Sequence, residues 1–251
     1  MLDSQAKLIL LSTLVSNSAY ALIAPFLPIE YQRKGVSAIS IGAIFAVYSL
    51  SVILCSPLVG RAIIRFGRSK IISVGLFSMG FCFVLLGLVD QIFSQQLIVI
   101  CSIFLRVLQG ASSAFVQTTC YAVAINDYPD HREAMIGYIE AVTGVGLIIG
   151  PIIGSTLYTF LGFDKTFFLY GSAVIVFAIF VTCKAERYFH RPIVHSEIQI
   201  SNEDDDFKTE SSLPPKKIQI IDLFRSTRFF FAGLSGSLCY FCYSYLEPIL
   251  A

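Results

Sequence analysis

Seven apolar stretches, each near the roughly 20 residues that a helix needs to cross a lipid bilayer, divide this chain of 251 residues. They cover residues 8–29, 39–59, 71–89, 97–124, 135–163, 166–183 and 229–251. Only 14% of the residues are charged, against about a quarter in soluble domains, and the mean hydropathy is +0.74. The sequence therefore predicts an all-α polytopic membrane protein that lies in the lipid bilayer. The net charge of +1 gives no support for nucleic-acid binding.

One long polar segment divides the predicted helices into two groups. It holds the acidic run 203–206 and the prolines Pro214 and Pro215, and such a composition is typical of a flexible linker. We predict a six-helix transmembrane bundle over residues 1–184 and a cytoplasmic linker over 185–228. Residues 229–251 are then the first transmembrane helix of a second half.

Lysine and arginine concentrate in the connections on one side of the predicted membrane. The connection between the second and third stretches and the polar segment hold most of them, whereas the opposite side has only Arg33, Lys34 and Lys165. Since basic residues are retained on the cytoplasmic side, the N-terminus is predicted to be cytoplasmic. We expect a multi-pass protein of the plasma membrane or of a vesicle membrane.

Three glycines at four-residue spacing mark the fifth stretch. On a helix, Gly146, Gly150 and Gly154 form one smooth groove that a neighbouring backbone can approach closely. Pro151 removes one backbone donor and frees the carbonyl group of Leu147, which favours a bend. The pattern indicates either a helix that packs tightly and changes shape or an ordinary packing seam.

Three ionisable residues fall within the apolar stretches, where charge is costly and usually functional. Arg106, in the fourth stretch, is too deep to reach the membrane surface and needs a buried partner or a watery cavity; Gln109 follows one turn later. Glu140 is close enough to the cytoplasmic end to lie at the interface. Glu247 lies near the outer end of the seventh stretch, beside Pro248, and is our candidate for a carboxylate that exchanges protons. A solvated helix end is the alternative for Glu247.

A basic, glycine-containing segment separates the second and third stretches. It extends from Gly60 to Lys70 and includes Arg65, Gly67 and Arg68. The spacing predicts a tight turn whose charges contact neighbouring helix ends. The alternative is a plain cluster of cytoplasmic positive charge.

Three of these segments, taken in order, resemble signatures of the major facilitator superfamily of transporters. They are the turn over residues 60–70, the pattern Arg106-x-x-Gln109-Gly110 in the fourth helix, and the glycine–proline pattern over 146–154. The segments 24–28, 56–60 and 246–248 are similar to the vesicular amine and polyamine transporter branch. The resemblance implies a twelve-helix transporter, of which this chain would supply six helices and the first of the second half. A fragment, a short natural product or an assembly of two chains would each account for that.

The chain departs from the family pattern at three positions. The loop signature carries an aspartate where this chain has Ile64. Vesicular monoamine transporters carry an aspartate in the first helix and a lysine in the second, and Ser16 and Tyr48 stand at the matching positions. The departures favour a polyamine-like or undefined substrate over a monoamine.

The resemblance implies a secondary transporter that exchanges organic cations for protons by alternating access. Its cavity would be lined by Asn17, Tyr20, Arg106 and Gln109, with Glu247 taking the proton or the cation. The alternative is a non-transporting membrane subunit or receptor-like protein on the same fold. An enzyme is disfavoured, and no metal or other cofactor is predicted, because no stretch contains a histidine, a metal-ligand cluster or a nucleophile–base pair.

Overall fold

The protein is described by a computed structural model over residues 3–91 and 94–188, all within a compact unit that ends at His195. These residues form α-helices joined by short turns. The helices are α1 (Ser4–Leu22), α2 (Leu27–Arg33), α3 (Ala38–Phe66), α4 (Arg68–Leu88), α5 (Gln95–Asp127), α6 (Arg132–Leu161) and α7 (Phe163–Tyr188).

Within residues 3–91 and 94–188, six helical segments are long and apolar enough to cross a membrane, and α1 and α2 together make the first. The first six predicted stretches are thereby confirmed as helices, and the protein is an integral, multi-pass membrane protein. The predicted start of the linker at residue 185 is wrong, because α7 continues to Tyr188. The seventh stretch, with Glu247, and the rest of the predicted linker lie outside the described residues.

The first span is two helices and not one. Asp3 caps the start of α1 by accepting a hydrogen bond from the Ala6 backbone N–H at 2.8 Å. Pro25 and Pro28 lack the N–H that a continuous helix needs, so α1 ends at Leu22 and α2 restarts at Leu27.

The predicted turn over residues 60–70 is wrong in extent. Helix α3 continues through Gly60 and Arg65 to Phe66, because its apolar and basic residues are all compatible with a helix. Only Gly67 forms the turn, with φ of +86°, a backbone conformation that favours glycine. Helix α4 then starts at Arg68.

The helix pairs α4–α5, α4–α7, α3–α5 and α1–α6 are each in close contact at a glycine. Gly75 of α4 lies against α5, Gly80 of α4 and Gly171 of α7 face each other, and Gly110 of α5 faces the backbone of α3 at Tyr48. Lipid offers no hydrophobic drive for helices to associate, so close backbone packing at small residues has to supply contact energy.

The seam between α1 and α6 uses all three glycines of the fifth stretch. A Cβ atom on Gly150 would stand 2.6 Å from the Ser18 carbonyl oxygen, and one on Gly154 would collide with the Leu22 carbonyl oxygen. Gly146 lies against Asn17 and Leu14. Helix α6 continues through Pro151 as one helix, so the proline does not end it.

Polar contacts join helix ends at the side opposite Arg68. The Lys34 ammonium group pairs with the Asp90 carboxylate at 2.6 Å. The Tyr158 hydroxyl group donates to the Glu30 carboxylate at 2.8 Å and so joins α6 to α2. Large apolar side chains are exposed around the bundle, as expected of a surface that faces lipid.

We predict that Gly150→Ala destabilises the protein, because the added methyl group must displace the α1 backbone. Overpacking of this kind costs about 1–3 kcal/mol. The thermal unfolding midpoint of the purified full-length protein in detergent measures it. Gly144→Ala is the matched control on the same helix, since a Cβ atom there meets nothing within 4 Å. Equal unfolding midpoints for the two variants would contradict the close packing of Gly150 against the α1 backbone.

Candidate functional site

Arg106 is fully buried in α5, within the membrane-spanning part of the bundle. Its Nη1 donates to the Gln109 amide oxygen at 3.0 Å, one helical turn away. Its guanidinium group lies over the rings of Phe45 and Tyr48, at 4.9 and 5.7 Å from their centroids. The Nε and Nη2 atoms have no hydrogen-bond partner among the described residues. The site therefore holds a positive charge that is only partly compensated.

Three helices meet beside this guanidinium group. Tyr20 of α1 stacks on Tyr48 of α3 with ring centroids 4.7 Å apart. The Ser16 and Ser113 hydroxyl groups, from α1 and α5, are 3.3 Å apart and share a hydrogen bond. Gly110 allows α3 to approach α5 closely enough for Tyr48 to reach Arg106.

The structure brings three of the predicted cavity residues together. Tyr20 stacks on Tyr48, and the Tyr48 ring lies beside the Arg106 guanidinium group. Arg106 in turn is hydrogen-bonded to Gln109. Asn17 is buried in the seam between α1 and α6, where its amide group donates to the Thr13 carbonyl oxygen at 2.9 Å and to the Thr143 hydroxyl group at 3.3 Å. Within residues 3–91 and 94–188, no group of three or more His, Cys, Asp or Glu could hold a metal ion.

Of the residues predicted around the basic turn, Arg68 is the one that contacts another helix end. It is buried and forms an ion pair with Asp127 at the end of α5. Arg65 is exposed on α3, and a Cβ atom on Gly60 or Gly67 would meet nothing within 4 Å. Neither glycine therefore makes a close backbone contact within the described residues.

Sequence reasoning missed the groups around Arg68. The Gln5 amide group of α1 donates to the other Asp127 carboxylate oxygen at 2.5 Å. The Tyr128 hydroxyl group donates to Asp3 at 2.5 Å. In the sequence, Asp127 falls in the turn-forming cluster over residues 126–130. Nothing in the local sequence indicates which distant side chain it meets.

The membrane-spanning helices and the buried charge indicate the class of protein. Six membrane-length helices around a buried charge are typical of integral membrane proteins that provide a path for polar solutes.

The model of the Major Facilitator Superfamily matches residues 9–251, and the chain belongs to that superfamily. The resemblance drawn from the three signatures is confirmed, and the superfamily comprises transporters and not enzymes.

Known proteins give the same assignment. The chain is 28% identical over 161 residues to the human MFS-type transporter SLC18B1, across 64% of this chain and 35% of that protein. It is 31% identical to Multidrug resistance protein 2 of Bacillus subtilis (strain 168), across 68% and 42%. It is 28% identical to Multidrug resistance protein MdtG of Escherichia coli O139:H28, across 75% and 45%. The chain thus spans less than half the length of these relatives.

We predict that Arg106→Met leaves thermal stability unchanged or raises it. The neutral side chain fills similar space and removes a buried charge with two unpaired donors, each of which costs about 1–3 kcal/mol. Gln109→Leu lowers thermal stability, because the buried Arg106 then loses its hydrogen bond to the Gln109 amide oxygen. Unfolding midpoints in detergent measure both, with Arg61→Met on the exposed surface of α3 as the control. Strong destabilisation by Arg106→Met would mean that the arginine is retained for folding.

We predict a pH-dependent stability from Tyr128. Burial, the hydrogen bond to Asp3 and the nearby carboxylates raise the pKa of its phenol group. The folded protein therefore keeps the proton where an unfolded tyrosine, with a pKa of about 10, has lost it. The stabilisation is complete below about pH 10 and declines above it. The unfolding midpoint of wild type should exceed that of Tyr128→Phe, with a difference that narrows above that pH, while the exposed Tyr138→Phe serves as control.

Proposed function

We propose that the chain forms one bundle of a secondary transporter that exchanges organic cations for protons by alternating access. The observation that carries the proposal is Arg106, a fully buried charge with unused donors inside a membrane bundle. Such a charge is costly, and in membrane proteins it usually marks a substrate or ion path. The names of the similar multidrug resistance proteins support drug-like substrates. Amines and polyamines are added because the segments 24–28, 56–60 and 246–248 resemble the vesicular amine and polyamine transporter branch.

In this proposal, Tyr20, Arg106 and Gln109 form the wall of the central path, with Asn17 at its border. Arg106 repels cations, so the path needs a carboxylate to hold the substrate or the coupling proton. Glu247 is our candidate for that group. A second helical bundle would supply the opposite wall.

The proposed motion is a rocking of whole bundles around the path. Gly146, Gly150 and Gly154 would keep α1 and α6 together during this motion, and Pro151 would allow α6 to bend. Gly60, Arg65, Gly67 and Arg68 would set the angle between α3 and α4 as the basic end opens. By the charge of its loops, the end with Arg68 and the N-terminus faces the cytoplasm, in a plasma or vesicle membrane.

The test is uptake by the full-length protein in proteoliposomes with an acidic interior. We expect accumulation of spermidine, ethidium or tetraphenylphosphonium that requires the pH gradient and stops when an ionophore dissipates it. Glu247→Gln should abolish this uptake because the amide group cannot exchange a proton. Glu210→Gln, in the predicted linker, is the matched control.

Two results would contradict the proposal. Uptake that does not depend on the pH gradient would exclude proton exchange. Uptake by Glu247→Gln at the wild-type rate would exclude Glu247 as the coupling group while leaving transport itself intact.

A further inference from the structure

Glu140 is a second charged residue in a membrane-spanning helix, and neither the fold nor the central cluster accounts for it. It lies eight residues into α6, about 12 Å from the helix start at 1.5 Å per residue. Its carboxylate accepts a hydrogen bond from the Tyr121 hydroxyl group of α5 at 2.6 Å. The side chain is exposed on the surface of the bundle.

The Tyr121 hydroxyl group is the polar contact of Glu140 among the described residues. None of the ion pairs formed by the described residues involves Glu140, and its Oε2 atom accepts no hydrogen bond from them. A charged residue in a membrane-spanning helix usually has a function or a partner, also near the cytoplasmic end of the helix. Tyr121 fixes one oxygen and leaves the other available to a ligand.

Tyr121 belongs to a row of polar side chains on one face of α5, which we call the polar stripe: Arg106, Gln109, Ser113, Gln117 and Tyr121. At 100° per residue these positions stay within about 120° of one another, so they share a face of the helix. Gln117 donates to Ser113 at 3.1 Å, which leaves its amide oxygen as an acceptor. About 22 Å of helix separates Arg106 from Tyr121.

The side chains of the polar stripe become more exposed toward Glu140. Arg106, Gln109 and Ser113 are buried, Gln117 and Tyr121 are half-buried, and Glu140 is exposed. Thr143, one turn further along α6, meets Asn17 of α1 at 3.3 Å. Through Tyr121, Glu140 contacts one end of the polar stripe, which we call its mouth, and Arg106 lies toward the other end. A negative charge therefore lies at the mouth and a positive charge at the inner end.

We propose that Glu140, oriented by Tyr121, binds the protonated amine of an organic cation at the mouth of the polar stripe; this rests on the proposed function. The carboxylate has a free oxygen, and Gln117, one turn before Tyr121 on α5, offers a further acceptor on the polar stripe. The repelling guanidinium group of Arg106 belongs to a residue about 22 Å along the helix from Tyr121. A cation that enters from the basic end meets Glu140 before it meets Arg106. Glu140 is thus an entry site for the cation, separate from the group that carries the proton.

A purely structural hydrogen bond between α5 and α6 is the alternative. A neutral glutamine would serve that role without a charge in the membrane, and Asn17 and Thr143 already join α6 to the bundle. The two explanations differ in what happens when the charge is removed but the shape is retained.

The experiment measures equilibrium binding of radiolabelled spermidine and of tetraphenylphosphonium to the purified full-length protein in detergent, without a pH gradient. Glu140→Gln should weaken spermidine binding by about 10- to 100-fold, the range expected for a hydrogen bond to a charged group, and should weaken tetraphenylphosphonium binding less because that cation has no N–H donor. Tyr121→Phe keeps the charge and should weaken binding by about 3- to 10-fold. Glu133→Gln, an exposed carboxylate at the start of the same helix, should bind as wild type does.

The outcomes separate the site from the proposed function. Wild-type affinity in Glu140→Gln overturns the entry site and leaves the proposed transport intact, whereas a wild type that binds neither probe contradicts both. Glu140→Asp should retain part of the affinity because it keeps the charge. Equal loss in Glu140→Asp and Glu140→Gln, with lowered unfolding midpoints, shows a structural role. If Glu140→Gln does not fold, unchanged binding by Tyr121→Phe overturns the site.

Discussion

The close approach of helix backbones at glycine is the contact on which the rest of the bundle depends. In lipid, the apolar side chains of two helices gain little by leaving their surroundings, so packing distance determines which helices associate. Gly110 brings α3 against α5, and Gly150 and Gly154 bring α1 against α6. These same approaches carry the polar groups into contact. The approach of α3 to α5 brings Tyr48 to Arg106, and the approach of α1 to α6 brings Asn17 to Thr143.

The charge balance of the central cluster explains two departures from the pattern of vesicular monoamine transporters. Where that pattern has an aspartate and a lysine, this chain has Ser16 and Tyr48. Both fall beside α5: the Ser16 hydroxyl group bonds to Ser113, and the Tyr48 ring lies under the Arg106 guanidinium group. One negative and one positive group are therefore replaced by two neutral hydroxyl groups at the same place. Arg106 is the charged residue of this cluster among the described residues.

The local sequence predicted the features that depend on hydropathy and on the spacing of residues along a helix. Hydropathy predicted seven spans, of which the six within the described residues are helices. The depth of Arg106 indicated a buried partner or a watery cavity, and its guanidinium group is hydrogen-bonded to the Gln109 amide one turn away. The four-residue glycine spacing indicated a groove. The extent of α3 was missed because Gly60 is tolerated inside a long apolar helix. The partners of Glu140 and Asp127 were missed because they lie 19 and 59 residues away along the chain, on helices whose rotation only packing decides.

The contacts at the two ends of the bundle determine which motions are available to it. At one end, Asp127 holds Arg68 of α4 and Gln5 of α1, and Tyr128 holds Asp3. At the other end, Tyr158 of α6 holds Glu30 of α2. Helix α1 is thus joined to α5 near one end, α2 is joined to α6 near the other, and α1 meets α6 along the glycine seam. A slide of one turn would drive Gly150 and Gly154 out of register with the α1 backbone. Motion within the α1–α6 seam is therefore disfavoured, which favours a change of shape that moves α1 and α6 together. The glycine groove is then the contact that holds these two helices as one unit.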